Sequence, residues 1–211
     1  DNPVSLRTWL TLPNFKANHR KALVVDRAGQ LRAWVSSGNA HDASSRHSNV
    51  ALTFSGAAAA DLLASMRATA MLSGQVPNYW PNQWTTPREP TTSRTTIQVL
   101  TEAAIRDAAL KRIERAASGD RLDVAMFYLT HRELIEALIQ AHQRGVGLRI
   151  LLDPNEDAFG RKKNGIPNRQ VASELHAAGV PLRWCNTSGE QCHFKHMLHR
   201  GSDDQPVWLM L

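Results

Sequence analysis

The chain has 211 residues, 42% of them hydrophobic and 21% charged, which excludes a disordered polyelectrolyte and allows a buried core in one domain or two small halves. Its formal net charge of +6 favours anionic partners such as phosphodiesters, acidic membrane surfaces or nucleic acid, although a solvated basic surface carries the same charge. No run approaches the length of a membrane-spanning apolar helix, and no secretory leader opens the chain at Asp1-Asn2-Pro3. Both ends read as cuts within a longer protein. The expected place is a peripheral membrane surface or the cytoplasm, with periplasmic or secreted location as the alternative. The cysteines, Cys185 and Cys192, either close a small disulfide loop or remain two thiols. No second Cys or His pair stands at finger-like spacing, although His193, His196 and His199 lie nearby, so zinc is not expected.

In chain order, His19 to Asp26 reads as a strand, Arg27 to Gln30 as a turn, and Leu31 to Ser36 as the returning strand of a hairpin. A polar loop from Ser37-Gly38-Asn39 leads to another strand at Asn49 to Phe54, then a helix over Ala57 to Leu72. Ser73 to Thr96, rich in Pro, Thr and Ser and containing Tyr79, Trp80 and Trp84, reads as a long irregular connection between two halves. Thr96 to Leu100 is a short strand candidate. Strands at Leu122 to Leu129, Leu148 to Asp153 and Val180 to Trp184 then alternate with helices at Glu102 to Ala117, Arg132 to Gln143 and Asn168 to Ala178. Such alternation predicts an α/β fold with a largely parallel sheet. His193 to His199 reads as a strand, Arg200 to Gln205 as a turn, and Val207 to Leu211 as a final strand.

A strand beginning H-x-K, a turn, and a strand with a Trp near its start therefore occur twice, at His19 to Ser36 and at His193 to Leu211. Residues 1–96 look like the tail of a first repeat plus the connection, and 97–211 like most of a second. On a strand, an H-x-K spacing puts both side chains on one face, about 7 Å apart along the chain. Phosphodiester cleavage needs a nucleophile that bonds to phosphorus and cations for its free oxygens, and histidine and lysine fit these roles. Two facing pairs, His19 with Lys21 and His193 with Lys195, supply a nucleophile, a general acid and two oxyanion stabilisers without any cofactor or metal. Ser37 and Asn39 are short neutral donors for the same oxygens.

One H-x-K is a weak signal. The fuller H-x-K-x4-D at His19, Lys21 and Asp26, followed by S-S-G-N and by a second H-x-K, is much stronger. The chain resembles the phospholipase D superfamily, whose members carry two H-x-K-x4-D motifs, each followed by a G-S-x-N-like loop. The stretches Asn14 to Lys21, Ala125 to Leu129, Leu151 to Arg169 and Gly189 to Lys195 resemble its bacterial phosphatidylserine, phosphatidylglycerophosphate and cardiolipin synthase members. This resemblance implies two repeats related by a pseudo-twofold axis, with mixed sheets flanked by helices, the first repeat truncated and the active site between them. It implies a phosphohistidine intermediate formed by one motif histidine, weakly His19, while the other protonates the leaving alcohol. It carries catalytic roles to His19, Lys21, His193, Lys195 and Asn39, and it matches Ser37 to the loop serine. Asp26 matches the motif aspartate, more as a structural partner than as a proton donor. In the second copy Arg200 stands where the family has aspartate, and the chain ends at Leu211 before a second loop, so the fragment's site is expected to be incomplete.

Glu190, three residues before His193, is placed either to orient that imidazole or in a solvated loop. His41, Asp42 and His47 follow the Ser-Gly-Asn loop and either line the mouth of the site or, as histidines in polar loops mostly are, stand solvated. The segment Asp153 to Arg169 mixes too many cations for a metal loop and reads as a basic rim or lid. The leading function is a phospholipid phosphodiesterase or phosphatidyltransferase at a membrane surface. A nuclease, or a non-catalytic phosphate-binding module, is the alternative. No protein partner is inferred.

Overall fold

The computed structural model describes residues 18–72, 74, 95–158, 161, 162 and 164–211, with the backbone alone at 157, 158, 161 and 162. In the first half the alternating run at Ala22–Arg27 forms β1, which pairs antiparallel with β2, Gln30–Ser36. The two residues between them, Ala28 and Gly29, both have positive φ (54° and 81°). That is the tight hairpin geometry whose twist matches the strands. The Asp26 carboxylate accepts the Gly29 N–H at 2.9 Å and braces the turn. β3, Ala51–Ser55, pairs antiparallel with β2, and α1, Ala57–Leu72, lays Ala59 and Leu62 against Leu31 and Ala33.

The second half is built on a five-stranded sheet in the order β10-β9-β4-β5-β8. Its elements are α2 (Ala103–Arg115), β4 (Arg121–Met126), α3 (Arg132–Gln143), β5 (Gly147–Leu152), α4 (Asn168–Ala177), β8 (Leu182–Trp184), β9 (Lys195–Arg200) and β10 (Pro206–Met210). A two-stranded ribbon, β6 (Asp157–Ala158) with β7 (Arg161–Lys162), stands in the segment read as a lid. The alternating residues Leu122 and Val124 on β4, and Leu148, Ile150 and Leu152 on β5, share one face. They pack there with Ile113 of α2, Ile135 and Leu138 of α3, and Val171 and Leu175 of α4. The other face carries charge: Asp123 meets Arg149 at 2.6 Å and Arg200 at 3.3 Å. Burial pushes the Asp123 carboxyl up, but Arg149, Arg121 and Arg200 outweigh it and hold the group below its ordinary value. Arg200, at the family's aspartate position, thus serves as a cross-strand partner of β4.

Several expectations are corrected. The mixed sheets flanked by helices are as expected, but the parallel part is confined to β4, β5 and β8: β9 and β10 join antiparallel, and the first sheet is wholly antiparallel. Thr96 to Leu100 forms no strand, because no described strand pairs with it; Val99 instead packs on the first core. β1 and β9 begin at Ala22 and Lys195, so the histidines precede the strands. The aromatic cluster Tyr79, Trp80 and Trp84 lies outside the described residues. Among the described residues no helix is long and apolar enough to cross a membrane.

Within the segment Asp153 to Arg169, Asp153, Asn155 and Asn168 are buried rather than part of an exposed rim. Asn168 is fully buried, and its Oδ1 accepts the Leu129 N–H at 3.0 Å. Its Nδ2 donates to the carbonyls of Phe127 (2.8 Å) and Asp153 (2.9 Å). These bonds tie α4 to the ends of β4 and β5. Asn168→Ala takes the side-chain partner from the Leu129 N–H and the Asp153 carbonyl, while Phe127 O keeps Asn155 Nδ2, so urea denaturation should show a loss of about 3 kcal/mol.

Candidate active site

The two H-x-K pairs meet where the halves join, outside the C-terminal ends of β4, β5 and β8, the end at which α/β sheets place their ligands. Each pair has the same local form. The Lys21 ammonium donates to the carbonyl of His19 at 2.7 Å, and that of Lys195 to the carbonyl of His193, also at 2.7 Å. The first half holds the entry to β9: Ser48 N–H donates to Gln191 O, and His193 N–H to Ser48 O, both at 2.9 Å. Gln191 N–H also donates to Nδ1 of His47 at 3.0 Å. β4 stops at Met126, opposite Lys195; one further bond joins Phe127 N–H to Phe194 O at 3.1 Å, and the His193 N–H then leaves its own sheet for Ser48 of the other half.

His193 is 6% exposed, and its Nδ1 lies 2.9 Å from the carbonyl oxygen of Ser37. A carbonyl only accepts, so Nδ1 carries the proton and the neutral ring keeps its lone pair on Nε2. The ring packs 4.9 Å from that of Phe127, and the Lys195 ammonium stands 5.1 Å from the same Phe127 ring. Burial first, then the charge of Lys195, push His193 down to about 4, with Lys21 and His47 adding to the effect. Burial and the charge of Lys21 lower Lys195 to about 8, against the attraction of Asp153. Burial, then Lys21 and Lys195, lower His19. Each lysine therefore acts on the histidine of the other half, as expected of a shared cluster.

The remaining expected residues divide. The Asn39 backbone is braced by its N–H to Ser44 Oγ at 2.9 Å, and its side-chain amide makes no hydrogen bond to a described residue. The Ser37 hydroxyl is committed, donating to Asn49 Oδ1 at 3.0 Å and accepting from Val50 N at 3.1 Å, so Ser37 contributes its carbonyl rather than its hydroxyl. Asp26 does not join the cluster; it braces the hairpin turn five residues beyond Lys21, about 16 Å along the strand. Glu190 accepts the Ser188 N–H at 2.8 Å and does not meet His193, whose orienting partner is the Ser37 carbonyl. The alternative left open for the cysteines resolves as a disulfide between Cys185, after β8, and Cys192, before His193. The residue patterns do not single out Phe127, although its place just past a central parallel strand is a signal. His47, placed by the sequence either at the mouth of the site or in solvent, accepts the Gln191 N–H beside it. Among the described residues no group of three or more acidic, His or Cys side chains is arranged to hold a metal. A groove of about 560 Å³ between α4 and the β8 edge, lined by Arg169, His176 and Trp184, includes none of the cluster.

The buried histidine sets a pH signature. His193 takes a proton near its ordinary 6.5 when unfolded but only near 4 when folded. Unfolding therefore takes up a proton between these values, and stability is lost as pH falls through that window. The thermal midpoint should drop between pH 7 and pH 5, and should drop less in His193→Asn; equal slopes would show that this imidazole is not held neutral.

A family model described as the PLD-like domain of cardiolipin synthase matches residues 109–210. No curated protein matches. Among solved structures, the chain is similar to Nuc, a phospholipase D family member from Salmonella typhimurium, at 22% identity and a TM-score of 0.36, covering 44% of this chain and 55% of that one. It is also similar to polyphosphate kinase from Porphyromonas gingivalis, at 16% identity and a TM-score of 0.44, covering 86% of this chain and 26% of that one. The chain thus spans just over half the length of the first and about a quarter of the second. The segment 109–210, which carries β4 to β10 and the second histidine–lysine pair, is thus similar to the PLD-like domain of cardiolipin synthase.

Proposed function

We propose that the cluster cleaves phosphodiesters through a phosphohistidine, with His193 as nucleophile and His19 as general acid and base. The observation that carries this reading is the state of His193: buried, neutral at ordinary pH, and hydrogen-bonded through Nδ1 so that Nε2 keeps its lone pair. Family resemblance leans weakly to His19, but His19 is exposed and lacks such an orienting bond among the described residues. Nε2 of His193 attacks phosphorus, the bond to the leaving oxygen breaks, and His19 gives that oxygen its proton. Water or a second alcohol then attacks phosphorus, His19 takes its proton, and the phosphorus–nitrogen bond breaks. Lys21 and Lys195 bind the non-bridging oxygens. The incoming phosphodiester anion offsets the charges that lower His19, and so favours the protonated imidazole that the first step needs. Residues 1–96 and 97–211 act as parts of two repeats that each supply one pair.

The substrate we favour is a phospholipid at a membrane surface, with hydrolysis or phosphatidyl transfer as the outcome. The description of the matching family as a cardiolipin synthase domain supports it, and the net charge of +6 suits an acidic surface. Incubation of the full chain with phosphatidylglycerol vesicles, single-stranded DNA and bis-p-nitrophenyl phosphate separates the substrates. Release of glycerol from the vesicles is the expected result, and cleavage of DNA alone would move the reading to a nuclease. His193→Ala and His19→Ala should each lower turnover by at least about a thousandfold with chelator present. Wild-type rates in either variant would overturn the two-histidine scheme. Binding of phosphodiester without turnover by the wild-type chain would indicate a binding module.

A further inference from the structure

The steps above leave one buried acid without a part. Asp153 follows β5 and is 2% exposed, with its N–H donated to Met126 O at 3.2 Å. Its Oδ1 accepts the Asn155 N–H at 2.7 Å and the Asn155 Nδ2 at 3.0 Å. Its Oδ2 accepts the Cys192 N–H at 2.7 Å. Asn155 is itself buried, donating Nδ2 to Phe127 O at 3.0 Å and accepting the Asn168 N–H at 3.2 Å. These bonds fix the direction of the carboxylate from several sides. Cys192 is the residue immediately before His193, and Phe127 packs against both His193 and Lys195. The acid is therefore tied to the backbone that delivers the imidazole and to the aromatic wall beneath the ammonium.

We propose that Asp153 is a positioning residue of the phosphodiester site, acting on His193 through the Cys192 amide and on Lys195 through its fixed negative charge. This rests on the reading of His193 and Lys195 as catalytic groups. Three backbone and side-chain donors converge on Asp153, so a protonated or amide side chain would put a donor where an acceptor is required. In a site whose other ionisable groups, His19, Lys21, His193 and Lys195, are all bases, this carboxylate offsets the mutual repulsion of the lysines. Its pull on Lys195 opposes both burial and the charge of Lys21. A purely structural tie would brace the loop equally well but would leave the proton on Lys195 indifferent to the charge at 153.

The test is an NMR titration of the labelled full chain, with the Lys195 side-chain signal assigned through Lys195→Arg. In the wild type Lys195 should titrate near 8, and the Asp153 carboxyl carbon should show an inflection at the same pH. In Asp153→Asn the Lys195 midpoint should fall by about one unit, and the alkaline limb of kcat for bis-p-nitrophenyl phosphate should move with it. Asn155→Ala removes two of the three bonds but keeps the charge, and should leave the Lys195 midpoint in place. An unmoved midpoint in Asp153→Asn overturns the proposal. So does a flat Asp153 carboxyl signal in the wild type, a measurement that needs no variant to fold. His193→Ala run alongside separates the two levels: full turnover there overturns the catalytic reading, whereas an inactive His193→Ala with an unmoved Lys195 overturns the role of Asp153 alone.

Discussion

The carbonyl of Ser37 accepts the Nδ1 proton of His193 across a sequence separation of 156 residues, and the arrangement of the site follows from that bond. It selects the tautomer, and it leaves the lone pair on Nε2 of an imidazole that has left water. Its geometry depends on both halves. Ser37 is held by its own hydroxyl between Asn49 and Val50, while His193 is held by its N–H on Ser48. A backbone carbonyl in this place orients without adding charge. The carbonyl bond raises the proton affinity of the ring, but burial and the lysines outweigh it and keep the ring neutral; a carboxylate there would add a full negative charge to the opposing side.

The same desolvation that frees His193 makes the cluster costly. Two ammonium groups and two imidazoles share the junction, and both lysines are shifted toward their neutral forms. The Phe127 ring face and the charge of Asp153 both attract the Lys195 ammonium. The buried network of Asp153, Asn155 and Asn168 ties this charge balance to the fold, because the same side chains join β4, β5 and α4. The disulfide between Cys185 and Cys192 runs from the end of β8 to the residue before His193, so a third strand end is fastened to the site.

Residue patterns located the secondary structure well wherever the signal was local. The helices over 57–72 and 132–143 have the bounds that spacing and glycine punctuation indicate, and the hairpin turn at Ala28 and Gly29 follows from its composition. Thr96 to Leu100 has strand-like residues but forms no strand, since strand formation depends on a pairing partner that no local pattern reveals. The H-x-K pairs illustrate the same limit: their spacing suggests a strand, yet the ladder of β9 starts only at Lys195 because β4 has no residue to offer His193. Asp26, Ser37 and Glu190 were picked out by residue type and position. Each makes a hydrogen bond that residue type alone does not foretell: Asp26 is committed to its turn and Glu190 to Ser188 rather than to His19 or His193.

From the sequence alone came the chemistry available to this chain: two histidine–lysine pairs on repeated strand–turn–strand units, a net positive charge, and an α/β second half. These are carried by residue identity and by periodicities of two and about four residues, which need no knowledge of distant neighbours. The tertiary structure decided which histidine is buried, which nitrogen carries its proton, what Arg200 does in place of an acid, and that an aspartate read as part of a basic rim stands behind the site. Each of these depends on groups brought together from far apart in the chain, where burial and a single acceptor oxygen set proton positions that the order of residues does not encode.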